Sequence, residues 1–235
     1  ENFFLRTAGN FNQELAEEAV LFLREIAGDY NTNLVGGSFH RIESSGTCLN
    51  TSYILNRAGD PVGEYHKRML FDRELKSGIT PGKETAVFEL EGWTIGVLIC
   101  ADLWYPELAR ELAPQADIIA VPAMSVVRSS EYRNYGRQLW HSLALMRAQE
   151  NALIVAISDH PARDSEPYCA GGSSICDPSM GAVSADIRRI HLTIENGSPG
   201  VLTHRVERTR LEAFRKYRRD RGMLPADWEN GNQNI

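Results

Sequence analysis

Three side chains in this chain of 235 residues have the types that acyl chemistry needs: a thiol at Cys100, an amine at Lys67 and a carboxylate at Glu1. Cys100 ends the stretch WTIGVLIC, where an apolar, strand-like run stops and helix-forming sequence begins. Asp102 has the residue type of a helix N-cap, with Pro106 and Glu107 in the first turn of a helix whose body is ELARELA. A thiol at such a strand-to-helix elbow feels unpaired backbone N–H groups and the positive end of the helix dipole, which favour the thiolate and make it a nucleophile. Position alone leaves a second reading open, in which Cys100 is a small buried residue closing a core strand. Lys67 lies in YHKRMLF, and its neighbours Tyr65, Met69, Leu70 and Phe71 suggest an inward amine that must have a partner. Strand alternation equally permits a surface lysine on an edge strand. Glu1, followed by NFF, says almost nothing by itself.

The elements that would position these groups alternate along the chain. Residues 14–26 carry Leu15, Ala19, Phe22, Leu23 and Ile26 on one helical stripe. Strands are expected at 33–39, 51–56 and 64–70, the last two joined by the RAGDP turn at 57–61. Two further strands meet at Glu91 and Gly92, the second leading into Cys100. A helix from Pro106, an apolar strand at 116–123, a helix at 135–151 and the buried strand ALIVAIS follow. GGSSICDP, a late strand near 200–205 and a basic helix close the chain. Strands flanked by helices, with hairpins in place of a strict βαβ repeat, predict a mixed sheet or a two-sheet sandwich covered by helices, in one domain over 1–235.

Composition excludes several classes. A 43% hydrophobic content supports a sizeable core, and a formal charge of −6 argues against a nucleic-acid partner for the whole surface. The local exception is 205–221, with eight Lys/Arg against three Asp/Glu; its alternating signs predict a solvated helix face or a subunit contact. No run approaches the ~18 apolar residues of a membrane-spanning helix. Cys48, Cys100, Cys169 and Cys176 are too widely spaced to pair as metal ligands, and the six histidines do not cluster with them, so no metal is expected. Free thiols fit a reducing cytoplasm.

Taken in order, ENFF, LVGGSFHR, LNTSYILNRAGDPVGEYHKRMLF, ICADLWYPELAR, ADIIAVPA, MRAQENALIVAIS and GGSSICDP resemble successive blocks of the nitrilase, or carbon-nitrogen hydrolase, superfamily. The cysteine and lysine blocks together are the specific part. The resemblance implies a Glu-Lys-Cys triad of Glu1, Lys67 and Cys100, with Glu74 as a second glutamate that positions the site. It implies an αββα sandwich that dimerises into an αββα-αββα stack. It also implies that the family's strand-helix-strand before the catalytic glutamate is missing from this chain.

An amide is a weak electrophile, so its hydrolysis needs a strong nucleophile, a donor for the oxyanion and an acid for the leaving nitrogen. On the resemblance, Cys100 attacks, Lys67 and the backbone N–H of Ala101 hold the oxyanion, and Glu1 moves the proton, with no cofactor. Trp104, Met124 and Ser125 are the expected pocket walls, and Arg128 and Arg133 are candidates to meet a substrate carboxylate. Amide hydrolysis of a small molecule is the first expectation. Nitrile or N-carbamoyl hydrolysis, acyl transfer, and a non-catalytic oligomerising scaffold are the alternatives.

Overall fold

Apolar residues at helical spacing build helix α1 (Gln13–Asp29), the first element of a computed structural model that describes residues 13–225 and Trp228. Its buried stripe is Ala16, Ala19 and Ala27, with Val20 and Leu23 packed beside them. Phe22, expected on this stripe, is 53% exposed. The alanines let the helix lie close on the sheet through one face, and that rotation carries Phe22 outward.

Strands β1 (Leu34–Ile42), β2 (Cys48–Leu55) and β3 (Pro61–His66) form an antiparallel sheet in the order β1-β2-β3. The turn between β2 and β3 is set by Asn56, whose side-chain oxygen accepts from the N–H groups of Ala58 and Asp60, each at 2.9 Å. β2 is buried on both faces: Tyr53 and Leu55 pack toward α1, while Ile54 points into the core between the sheets. β3 ends at His66, short of the expected Leu70, so Lys67 opens a loop and does not sit on an edge strand.

The second sheet has six strands in sequence order: β4 (Val87–Leu90), β5 (Trp93–Val97), β6 (Ile118–Ala123), β7 (Ile154–Asp159), β8 (Ser174–Cys176) and β9 (His191–Thr193). β5, β6 and β7 run parallel, and the outer pairs are antiparallel. Parallel neighbours require crossovers, which helices α3 (Pro106–Leu112) and α4 (Arg133–Asn151) supply after a short α2 (Asp72–Lys76). α1 packs on β1 and β2, β1 touches β6, and α4 packs on β7 and β8, which gives the expected α-β-β-α order of layers. The sheets approach closely at Gly63, where an added Cβ would lie 2.3 Å from the Phe88 ring. Leu98, Ile99, Leu103, Ile119 and Leu153 are fully buried in the central core. Each such side chain stabilises the fold by about 2 kcal/mol.

Two expectations about the C-terminal part are corrected. Residues 200–205 form no strand; β9 precedes them and takes the sheet edge. The later segment is fixed by side chains instead, with His204 Nε2 2.8 Å from the buried carboxylate of Asp177. The basic helix, α6 (Arg208–Arg219) after the one-turn α5 (Ile187–Ile190), is not simply a solvated face. Leu211 is buried, and the Arg215 guanidinium bonds Asp117 Oδ1 at 2.8 Å, the Ala116 carbonyl at 2.7 Å and the Ala152 carbonyl at 3.0 Å. Arg215 thus uses its charge to satisfy Asp117 and two carbonyls at the ends of other elements. Among the described residues, no helix is long and apolar enough to cross a membrane.

Candidate active site

The three parallel strands β5, β6 and β7 end side by side, and each is followed or closed by a polar side chain: Cys100 after β5, Ser125 after β6 and Asp159 at the end of β7. The carboxyl ends of adjacent parallel strands open a crevice that side chains from the following loops can line. The loop after β3, from the other sheet, brings Lys67 to the same place.

Lys67 is 3% exposed, and its amine meets Glu74 Oε2 at 2.5 Å. A buried ammonium without such a partner would cost several kcal/mol, so the ion pair is what allows the amine to point inward. Glu74 is held in turn by Asn50 Nδ2 on its other oxygen, at 2.7 Å, and by the Phe71 N–H, also at 2.7 Å. Burial pushes the Glu74 carboxyl up, but the Lys67 charge and these donors outweigh it and hold it below the usual glutamate value. The Lys67 backbone is pinned on both sides, by N–H to the Asn50 carbonyl (2.9 Å) and by its own carbonyl to Gly82 N–H (2.7 Å).

Cys100 has a φ of +47°, a left-handed conformation that a residue with a Cβ adopts at a cost of about 1–3 kcal/mol. The strained turn opens a five-residue 3-10 helix, Cys100–Trp104, and α3 begins separately at Pro106 with Tyr105 at its N-cap. Asp102 is therefore not the cap of the longer helix. Its carboxylate is fully buried and gathers the N–H of Ile99 (2.9 Å), the N–H groups of Arg68 (3.2 Å) and Met69 (2.7 Å), and the Tyr65 hydroxyl (2.9 Å). One carboxylate thus ties the cysteine elbow to the lysine loop. Arg147, buried on α4, closes the other end of the elbow by donating to the Leu103 and Trp104 carbonyls, both at 3.2 Å.

The thiol of Cys100 donates toward the Met124 carbonyl at 3.7 Å. Burial pushes this thiol above the ordinary cysteine value, and the Lys67 charge is the strongest influence pulling it back. The expected preference for thiolate is thus reversed at rest: the helix end is short, and desolvation wins over it. Such a thiol needs a base to give up its proton.

Other expected residues fall differently. Ala101 follows Cys100 within the 3-10 helix. Trp104 is 44% exposed and packs edge-on against Trp140 with ring centroids 6.1 Å apart. Met124 supplies its backbone carbonyl to the thiol. Ser125 is not an open wall; it is 1% exposed and bonded to Asp159 and the loop at Ala170 and Gly171. Arg133 is paired with Asp164 at 2.8 Å and Arg128 is exposed. Glu1 lies outside the described residues. Sequence reasoning missed Asn50, Arg147 and Asp159; the available signal was that three apolar runs each lead into a polar residue, at Cys100, Ser125 and Asp159. All four cysteines are free thiols. Among the described residues, Glu43, Glu64 and His66 bring possible metal-ligand atoms within 4.8 Å of one another, but the Arg41 guanidinium is ion-paired with both carboxylates there.

The sequence model of the carbon-nitrogen hydrolase family matches residues 2–215. The chain is similar to omega-amidase NIT3 of Saccharomyces cerevisiae, with 29% identity over 186 residues that make up 74% of this chain and 62% of that protein. It is similar to 2-oxoglutaramate amidase of Bacillus subtilis, with 31% identity over 173 residues, 70% of this chain and 63% of the relative. The crystal structure of Saccharomyces cerevisiae Nit3, described as a member of branch 10 of the nitrilase superfamily, superposes with a TM-score of 0.70 at 25% identity, covering 85% of this chain and 69% of that one. The chain thus spans a little over three fifths of the length of the two amidases. On the match across 2–215, it belongs to the carbon-nitrogen hydrolase family.

Proposed function

We propose that the chain carries the site of a cysteine-dependent amide hydrolase. The observation that carries this reading is the buried Lys67 ammonium, held by Glu74, acting on a thiol displayed on a strained left-handed turn. A positive charge in a water-poor crevice, fixed before substrate arrives, is the device that stabilises an oxyanion. Cys100 attacks the amide carbon, forming an S–C bond while the carbonyl electrons move to oxygen. Lys67 and the Ala101 N–H receive that oxyanion. The thiol proton passes to a carboxylate, the role given to Glu1, and from it to the nitrogen as the C–N bond breaks and ammonia or amine leaves. Water then adds to the thioester, losing its proton to the same carboxylate, and the thiol leaves with that proton as the carboxylic acid forms. Glu74 never meets the substrate; it holds the ammonium in place.

Two similar proteins are named an omega-amidase and a 2-oxoglutaramate amidase, which favours a small amide over a nitrile or carbamoyl compound. Acyl transfer uses the same thioester with an amine in place of water. The remaining assignments are a homodimeric or larger assembly in the cytoplasm, and Trp104 at the pocket mouth. Ammonia release from a panel of small amides, measured for the full chain and for Cys100→Ala, tests the reading: release is expected only with the thiol. Equal release from both proteins would contradict it, and added hydroxylamine separates transfer from hydrolysis by trapping a hydroxamate.

A further inference from the structure

Asp159 takes no part in the proton and acyl transfers above, yet it is 8% exposed at the end of β7 with its carboxylate turned into the protein. One oxygen accepts the Ser125 N–H at 2.8 Å. The other accepts the Gly172 N–H at 2.5 Å and the Ser125 hydroxyl. Ser125 Oγ also accepts from the N–H groups of Ala170 and Gly171, both at 3.2 Å. Asp159 therefore fixes two segments, and both lead to Cys100. The first is the end of β6, where Met124, the residue before Ser125, offers the carbonyl that receives the thiol. The second runs from Gly172, where an added Cβ would lie 2.8 Å from Trp140 Cβ, through the Trp140 ring to Trp104 at the end of the 3-10 helix that Cys100 begins.

We infer that Asp159 is a positioning residue for the nucleophile, holding the Met124 carbonyl and the Trp140–Trp104 contact so that the Cys100 thiol rests in one orientation opposite Lys67. The inference rests on the hydrolase reading for its catalytic meaning, but not for its test. A buried carboxylate satisfied by several donors converging on both its oxygens is a rigid junction, because no neutral isostere can accept in all those directions. Asparagine at 159 would turn an NH2 toward the N–H of either Ser125 or Gly172, donor against donor. The Asp159 carboxylate, itself pushed up by burial, also lies close enough to bear on the thiol, which burial first, then Asp159 and Glu74, push up against the Lys67 charge and the Met124 carbonyl.

The test compares the full chain with Asp159→Asn and Ser125→Ala. Rates of iodoacetamide addition at Cys100 are followed across pH and located by peptide mass; Cys48, Cys169 and Cys176 are buried and serve as internal references. Kinetics on whichever amide the full chain hydrolyses are measured alongside. Asp159→Asn is expected to move the alkylation midpoint to lower pH and to reduce kcat by roughly 10- to 100-fold with little change in KM, since a misplacement of about 1 Å at the nucleophile has that scale of effect. Ser125→Ala, which keeps the charge and the backbone N–H bond to Asp159 but removes the hydroxyl's bonds to Asp159, Ala170 and Gly171 and so loosens the junction, is expected to lower kcat less and to leave the midpoint nearly in place. A folded Asp159→Asn protein with both the alkylation profile and kcat of the full chain would overturn the inference. Should that variant not fold, an unchanged kcat and alkylation rate in Ser125→Ala would overturn it as well. Alkylation needs no turnover, so a chain that hydrolyses no amide still reports on Asp159, and the two readings fail separately.

Discussion

Glu74 and Asp102 are both carboxylates withdrawn from water at the same site, and they titrate in opposite directions. Each receives hydrogen bonds on both oxygens. Only Glu74 has a cation in contact, and it stays below the ordinary glutamate value although burial opposes this. Asp102 is pushed up by burial, and its donors, led by the Ile99 and Met69 N–H groups, do not fully compensate. Dipoles soften the cost of a buried charge, whereas a contacting counter-charge reverses it. The division matches the work each does. Glu74 anchors the Lys67 ammonium, and Asp102 anchors backbone.

The sharpest way to break that comparison is to remove the cation. Lys67→Met is expected to lower kcat/KM by on the order of 10³-fold through loss of the oxyanion donor. It should also lift the Glu74 carboxyl above its ordinary value, visible as a new titration in a pH series of the variant. Next in size, Asp102→Ala strands the Ile99 and Met69 N–H groups in the core and is expected to cost about 3 kcal/mol of stability, read by urea unfolding, with activity falling because the lysine loop and the cysteine elbow lose their common anchor. Glu74→Gln is a subtler change. The glutamine can still accept from Phe71 N–H, so the fold should survive, but the Lys67 amine loses its ion pair and activity is expected to fall by roughly 10- to 100-fold.

The pH dependence of stability sharpens the same contrast. A carboxyl depressed on folding contributes stability that is present above its unfolded value near 4 and lost as pH falls through the folded value; Glu74 is of this kind. Asp102 is of the opposite kind, and its contribution is lost as pH rises through the raised folded value. Glu74→Gln should therefore flatten the acid limb of the stability curve, and Asp102→Ala should not. The smallest effect is expected from His141, which packs against His191 with ring centroids 5.3 Å apart. Burial, then His191 and Arg137, lower His141 from 6.5 to about 4. The unfolded chain takes up that proton first, so stability declines as pH falls from 6.5 toward 4, and His141→Gln should flatten this part of the curve in thermal melts.

Much of the scaffold was legible in the sequence. The long helices, the hairpin turn at 57–61 and the apolar parallel strands follow from periodicity and turn residues, and the layer order follows from the family resemblance. What was not legible depends on tertiary partners. Asp102 has the type of a helix cap, but Tyr65 and the loop after Lys67 come from the other sheet and recruit it as a junction. Arg215 looks like part of a solvated stripe until the carbonyls of Ala116 and Ala152 meet it. Ser125 suits a pocket wall until Asp159, at the end of a neighbouring parallel strand, turns its hydroxyl inward. The lysine showed a different limit: alternation left an inward, partnered amine and a surface lysine on an edge strand both open, and the end of β3 at His66 removes the second while the buried pair with Glu74 bears out the first.

The central claim is that Lys67 and Cys100 act on one carbonyl group, the amine on its oxygen and the thiol on its carbon, and that the acyl group passes through the sulfur. Rapid quenching of the full chain with a turned-over amide, followed by intact mass and peptide mapping, tests this most directly. The account predicts an acyl adduct on Cys100 that forms before ammonia release reaches steady state and decays in water, absent from Cys100→Ala and slowed in formation in Lys67→Met. Steady ammonia release with no adduct on Cys100, persisting in Cys100→Ala, would contradict it.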